Sequence, residues 1–384
     1  MDGNSMPETT DVAIIGGGAA GCAVAYYLSE AGFASAIIER DGVGSQASGY
    51  AAGGLNPLTG HGIPGPLAAF AWESFQMHHR LYPRLGGLTG IDYQLRETSE
   101  IRLTFNEPEV SEFEALADRL TGTPGFASSM TEQSRVKKLD PRVNGDFAGC
   151  LFTRGNFQLD SLAFTQALSS AAQQMGAKLR PGIVRGLEVK DDHVSRVLLE
   201  DGELQCRHVV LAMGPWSRQA ERWLNAYIPV DPLKGEILRM RLPGERLEHD
   251  VAGEGASIYA KPDGQIWCGT TEDWRGFDRQ ALPETRERIL AGVKRIFPAI
   301  SEATLVMHTA CLRPVTPDWL PILGRVPGYG NAWLATGAGK KGILLAPGIG
   351  KSVADLIAFH ETGLPIENFA PERFAAPAAI QVGA

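Results

Sequence analysis

Apolar positions in the first forty residues fall into two compact runs, 12–15 and 34–38, with a helical stretch between them. Runs that are apolar on both faces suit strands buried in a parallel sheet, so the pattern predicts strand 11–16, helix 20–31 and strand 34–39. A loop rich in small residues follows over 41–58. Helical spacing returns over 64–85, where Phe70, Trp72, Phe75 and Leu81 supply an apolar face, and over 110–120 through Phe113, Leu116 and Leu120. Strands are expected at 101–105, 149–153, 178–184, 194–199 and 207–212, with a helix at 161–175. Residues 235–240, 256–260 and 265–270 alternate as strands of an antiparallel sheet do. Helix 284–297, strands 304–311 and 332–336 and helix 348–360 complete the pattern. No repeat or low-complexity linker divides the chain, so its units are expected to interleave.

Composition narrows this picture. A chain of 384 residues is long enough for two or three structural units. Hydrophobic content of 44% and charged content of 21% fit a soluble globular protein. The formal charge of −8 gives no global attraction to nucleic acid or anionic membrane. Five cysteines (Cys22, Cys150, Cys206, Cys268, Cys311) form no C-x-x-C pair and no metal-ligand spacing. Such a scattered set reads as reduced thiols in a cytoplasmic protein, with no metal. Residues 1–10 are polar and read as a flexible lead-in rather than a signal peptide. No apolar run approaches the roughly 18 to 20 residues that span a bilayer.

The chemistry begins at the first strand-to-helix turn. Gly16, Gly18 and Gly21 have G-x-G-x-x-G spacing, and Ala19 and Ala20 start the helix between them. Gly16 permits a tight turn, Gly18 a close approach to a pyrophosphate, and Gly21 close packing of helix on strand. Glu39 ends the second strand, about 20 residues on, where an acid binds ribose hydroxyls. Strand, glycines, helix and acid in this order predict a dinucleotide site. In the following loop Ser45, Ala47, Ser48 and Gly49 offer hydroxyls and unhindered N–H groups for a second set of contacts. His61, His78 and His79 have no partners spaced for a metal and read as solvated or capping residues. Nothing resembles a nucleophile elbow or a paired-carboxylate hydrolase site.

Three segments together resemble the D-amino-acid-oxidase-like superfamily of flavoproteins, most of all its glycine oxidase and monomeric sarcosine oxidase branches. They are 11–21 with Glu39, the loop 44–53, and the stretch from Cys311-Leu-Arg313-Pro-Val-Thr-Pro-Asp318 through 321–324 to 336–347. The resemblance runs from Asp11 to about Ile357. It implies an α/β fold: a Rossmann-like FAD-binding domain with an interleaved mixed or antiparallel β-sheet substrate domain (glutathione-reductase-2-like). Residues 11–85, 146–225 and 311–384 would form the first domain and 86–145 with 226–310 the second. The implied cofactor is FAD. To the glycines and loop residues above, the resemblance adds Arg40, Ala52, Gly53 and Val184 as cofactor contacts. It also adds Ala212, Gly214 and Trp216, although Trp216 reads equally as core packing. Further along come Gly339, Lys340, Lys341, Gly342 and Ile343, leading into an apolar helix whose positive end is directed at the flavin.

On the substrate side, the family's arginine after the penultimate strand grips a carboxylate, and Arg313 occupies the matching place. A planar guanidinium suits that task because it makes two parallel bonds. Tyr259 matches a tyrosine on the sheet over the flavin. Lys340-Lys341 departs from the arginine or aromatic-rich turn of relatives that oxidise glycine; Lys340 would stabilise the reduced ring or assist oxygen, or both lysines are simply solvated. Cys311 has the spacing of the thioether-linked cysteine of sarcosine-oxidase-like proteins, and otherwise reads as a buried thiol. The implied activity is oxidation of a small amino acid or N-alkyl amino acid by hydride transfer to flavin. The imine product would be hydrolysed and the electrons passed to O2 or another acceptor. The competing readings are an FAD-bearing scaffold without turnover and a tRNA-modifying flavoenzyme.

Overall fold

A computed structural model describes residues 8–374. Its strands are β1 Thr9–Ile15, β2 Ser35–Glu39, β3 Arg96–Thr104, β4 Ala127–Met130, β5 Gly149–Gln158, β6 Lys178–Pro181, β7 Val184–Lys190 and β8 His193–Leu199. They continue as β9 Gly202–Leu211, β10 Asp231–Arg241, β11 Asp250–Gly253, β12 Ala256–Ala260, β13 Gln265–Gly269, β14 Thr304–Val315, β15 Ile322–Arg325 and β16 Ala332–Thr336. The helices are α1 Ala19–Glu30, α2 Ala47–Tyr50, α3 Ala68–Thr89, α4 Val110–Thr121, α5 Gln133–Leu139, α6 Ser161–Gln174, α7 Glu221–Leu224, α8 Pro283–Ile296 and α9 Gly342–Phe359. Two compact units divide the chain. One takes the described residues up to Tyr93, Asp160–Leu233 and those from Arg313 onward; the other takes Gln94–Leu159 and Lys234–Leu312.

The first unit is built on a sheet in the order β15-β16-β9-β1-β2-β6, with the β7–β8 hairpin added to β9. β16, β9, β1, β2 and β6 run parallel. Ala13, Ile15, Ala36, Ile38, Val209 and Leu211 point to one core, while Val12, Ile14 and Ile37 are fully buried on the other face. Burial on both faces is why these strands read as unbroken apolar runs. Helix α1 packs on α6 and α9, and α3 on the same two helices.

The second unit is a sheet in the order β14-β10-β13-β12-β11-β3-β5-β4. β10, β13, β12 and β11 pair antiparallel in turn, and β11 joins β3 in parallel. Its core lies under one face, where Ile101, Leu103, Leu238, Met240, Ile258, Ile266 and Cys268 meet Ile289, Val293 and Ile296 of α8.

Several expectations are corrected. β5 belongs to the second unit's sheet, not with the FAD-binding segments, because it pairs with β3 from Arg96↔Gln158 to Thr104↔Gly149. Residues 86–93 stay with the first unit: α3 runs to Thr89, and Tyr93 packs on Phe164 at 5.2 Å. Residues 226–233 also stay there, since Ile228 and Val230 enter its core. Residues 311–312 fall in the second unit. The lead-in expected over 1–10 lies outside the described residues as far as residue 7, and Thr9 and Thr10 already belong to β1. Within the loop 41–58, Ala47–Tyr50 form a helical turn. The last helix starts at Gly342 instead of 348 and carries Pro347 inside it. Gly339–Phe359 is long and apolar enough to cross a membrane, contrary to expectation, but 72% of that window is buried within the protein.

Candidate cofactor and substrate site

The turn from β1 to α1 is closed by absent side chains. Gly16 has φ +113°, and a Cβ there would lie 2.3 Å from the Ala212 carbonyl oxygen. A Cβ on Gly21 would lie 2.0 Å from the Gly16 oxygen. These contacts set α1 against the ends of β1 and β9. The Gly17 N–H donates to Glu39 Oε2 at 2.7 Å and the Asp41 N–H to Oε1 at 2.9 Å. The acid is thereby fixed beside the glycine turn, each oxygen retaining a lone pair for a further donor. Ser48 Oγ accepts the Ala19 N–H at 2.9 Å, which binds the small-residue loop to the first turn of α1. The Gly44 N–H donates to the Gly17 oxygen at 2.9 Å and ties the same loop down again. Ser45 Oγ is buried with no hydrogen-bond partner among the described residues.

Arg40, next after Glu39, lays its guanidinium over the Trp216 ring, 4.3 Å from the centroid. Trp216 follows Gly214, which has φ +54°, and the Ala212 N–H donates to the Ile15 oxygen at 2.9 Å. Gly16, Gly18, Glu39, Arg40, Ala212, Gly214, Trp216 and Ser48 are thus gathered at the carboxyl ends of β9, β1 and β2, where ligands of open parallel sheets bind. Val184 instead begins β7 and packs against the core, paired with Leu199.

A second group of predicted residues lies at the start of α9. Gly337 (φ +78°) and Gly339 (φ +53°) turn the chain from β16 into the helix. Lys341 is a tether: its Nζ donates to the Asn56 oxygen at 2.7 Å. The Nζ of Lys340 lies 5.5 Å from the Trp319 ring centre, and His61 stacks on Trp319 at 4.0 Å with an 11° tilt. His61 is therefore a stacked residue. Trp319 and Asn56 were not expected here, and only Trp319 left a trace in the sequence, as the residue after Pro317-Asp318 in a turn.

Pro347 lacks the N–H that would bond the Ile343 carbonyl one turn earlier. His78 of α3 supplies the donor. Its Nε2 lies 3.0 Å from the Ile343 oxygen and 3.1 Å from the Leu344 oxygen. Both partners are carbonyls, so Nε2 carries the proton, and Nδ1 is buried without a hydrogen-bond partner among the described residues. Burial drives the imidazole pKa down to about 4 against the pull of the two carbonyls. Farther along α9, a Cβ on Gly350 would stand 2.5 Å from atoms of Ala23 in α1, so these two helices touch backbone to backbone.

Arg313 is half-buried on β14 in the first unit. Cys311 is half-buried and in no disulfide, while burial pushes the thiols of Cys22, Cys150, Cys206 and Cys268 up to about 12. In the second unit Tyr259 is half-buried on β12, directly across from Trp267 of β13. The Ala260 N–H donates to Asp250 Oδ1 at 2.8 Å, and burial raises that carboxyl to about 7.

The family profile described as FAD dependent oxidoreductase (DAO) matches residues 11–356. The chain belongs to this family. Glycine oxidase of Geobacillus kaustophilus is 30% identical over 373 residues, covering 96% of this chain and 98% of the relative. Glycine oxidase of Pseudomonas aeruginosa is 27% identical, covering 94% and 98%. The crystal structure of the Geobacillus enzyme aligns with a TM-score of 0.90 at 28% identity, over 96% of this chain and all of that one. FAD is the cofactor of this DAO-family protein. The residues present fit it: Glu39 is fixed beside the glycine turn with a lone pair to spare on each oxygen, and the buried Ser45 hydroxyl has a bond to spare.

Proposed function

We propose that the protein oxidises a small amino acid or N-alkyl amino acid at its C–N bond. The observation carrying this reading is likeness to glycine oxidases along nearly the whole of both chains. FAD, when bound, supplies the two-electron acceptor and passes the electrons to O2 or another acceptor. Gly16, Gly18, Gly21, Ser45 and Ser48 would hold its phosphates, and Glu39 its ribose. Arg40 and Trp216 would flank the same end.

In the first unit Arg313 would grip the substrate carboxylate with its planar fork, and in the second unit the Tyr259 hydroxyl is the candidate for a hydrogen bond to substrate. Substrate held this way presents a neutral amine for oxidation, and water hydrolyses the resulting imine. The N-terminal N–H groups of α9 bring partial positive charge to the site, with Lys340 adding a full one. Five cysteines, none of them in a disulfide, accord with a reducing, cytoplasmic setting.

Anaerobic titration of the holoenzyme with D-, L- and N-methyl amino acids tests this by loss of flavin absorbance near about 450 nm. One class should bleach it, and Arg313→Lys should raise KM for that class. A flavin that no member of the panel reduces would overturn the reading.

A further inference from the structure

The edges of the two sheets are not guarded alike. β6, at one end of the first sheet, carries Lys178, Arg180 and Pro181 within its four residues. The edge strand β7 carries Arg185, Glu188 and Lys190. β15 and β4 are four residues long, one ending in Arg325 and the other centred on Ser128 and Ser129. Shortness, charge and proline are the usual means of keeping an edge from pairing with another chain. β14, which ends the second sheet beside β10, has none of them. It runs for 12 residues, and from Ala303 to Leu312 there is no lysine, arginine, aspartate, glutamate, proline or glycine.

The first part of β14 is also uncovered on both sides. Thr304 to Met307 are all exposed, Leu305 at 43%, Val306 at 50% and Met307 at 47%. Alternation sends Leu305 and Met307 to one face and Thr304 and Val306 to the other. Neither row is taken into a core. Apolar side chains on two faces and an open row of N–H and C=O groups thus lie together on one short segment.

We propose that β14 is the contact between two copies of this chain, paired antiparallel about Val306 so that two eight-stranded sheets become one. A second copy fits because the segment is complementary to itself. Directly opposed residues of an antiparallel pair share a face, so a two-fold axis perpendicular to the sheet must pass at a residue. An axis at Val306 sets Val306 against Val306, and Leu305 against Met307 twice. Every large apolar side chain of the segment then meets another. No like charges are opposed, although each copy carries −8. An axis at Leu305 would instead leave Met307 facing Ala303.

Charge agrees with the same register. Glu302 is exposed and in no ion pair among the described residues. In the pair it arrives opposite Ala310 of the other copy, next to His308. Burial lowers the pKa of His308 against the pull of Glu236, and Arg286 of α8 is near enough to lower it further. Arg286 therefore offers a cation to the incoming acid. At the far end of the sheet β4 is short and polar, so the assembly closes at two copies.

Sedimentation of the holoenzyme between about 1 and 100 µM tests this, the range suited to a small edge contact. The mass should reach that of a dimer at the upper end. Val306→Lys should return it to the 41.2 kDa of one chain while the flavin spectrum is kept. Cross-linking gives a second readout. Opposed residues in such a pair have Cα atoms about 4.5–5.5 Å apart, within the span of a disulfide. Under mild oxidation Val306→Cys should run as a linked dimer on a non-reducing gel. Thr304→Cys, about 14 Å from its own copy in this register, should run as the parent does. A parent that stays monomeric at about 100 µM would overturn the proposal. So would a mass that Val306→Lys leaves unchanged, which would place the contact on another surface. Linkage at 304 as strong as at 306 would overturn the register, and with it the pairing proposed.

Discussion

Replacing His78 by phenylalanine tests how α9 accommodates Pro347. The substitution keeps a ring of similar bulk but leaves the buried Ile343 carbonyl without a donor. An unmet buried carbonyl costs about 1–3 kcal/mol, so the urea midpoint of the holoenzyme at pH 7 should fall accordingly. Pro347→Ala supplies the missing N–H from within the helix. In that background the loss caused by His78→Phe should shrink to less than half, a coupling that a double-mutant cycle reads directly. The pH dependence gives a second reading. The folded imidazole titrates at about 4, below its ordinary 6.5. The stability tied to its neutral form is fully present above pH 6.5 and is lost as pH falls through 4. That interval corresponds to about 3 kcal/mol at roughly 1.4 kcal/mol per pH unit, and His78→Phe should flatten it. Equal losses with proline or alanine at 347, or an unchanged acid limb, would refute the reasoning.

Three further outcomes are expected. Gly21→Ala puts a Cβ 2.0 Å from the Gly16 oxygen; the protein should purify folded by circular dichroism yet without yellow colour, and full flavin content would contradict the cradle. Asp250 titrates near 7 in the fold against 3.8 ordinarily, so its contribution is greatest below pH 3.8 and is lost as pH rises through 7. Asp250→Asn should therefore narrow the difference in Tm between pH 5 and pH 8, and an unaltered difference would count against burial as the cause. Lys341→Met removes the bond to the Asn56 oxygen, and amide exchange over residues 56–62 should quicken; unchanged protection would mean the loop is held elsewhere.

What the sequence disclosed follows from how local each determinant is. The β1–α1–β2 unit was readable because its glycines, apolar runs and terminal acid all lie within thirty residues. Strands β12 and β13 showed themselves because one face is buried and the other is not, which imprints a period of two. The start of α9 was misread because Pro347 normally breaks a helix, and the donor that rescues it is His78, far away in the chain. β5 was misassigned because only its pairing with β3, some fifty residues earlier, decides its unit. Stacks such as His61 on Trp319 or Arg40 on Trp216 depend on how loops are placed, and no local pattern encodes them. Arg40 and Trp216 entered through family likeness alone.

The order of strands in the first sheet bears on how the protein is made. Val209–Leu211 of β9 are bordered by β1 on one side and by β16 on the other, yet β16 lies more than a hundred residues later in the chain. At ribosomal rates of about 5–20 residues per second, that edge stands open for on the order of ten seconds during synthesis. Throughout that interval an apolar strand offers its free N–H and C=O groups to any other chain nearby. Nascent protein at this stage is the form most exposed to mispairing, and the form on which a chaperone would have most to act.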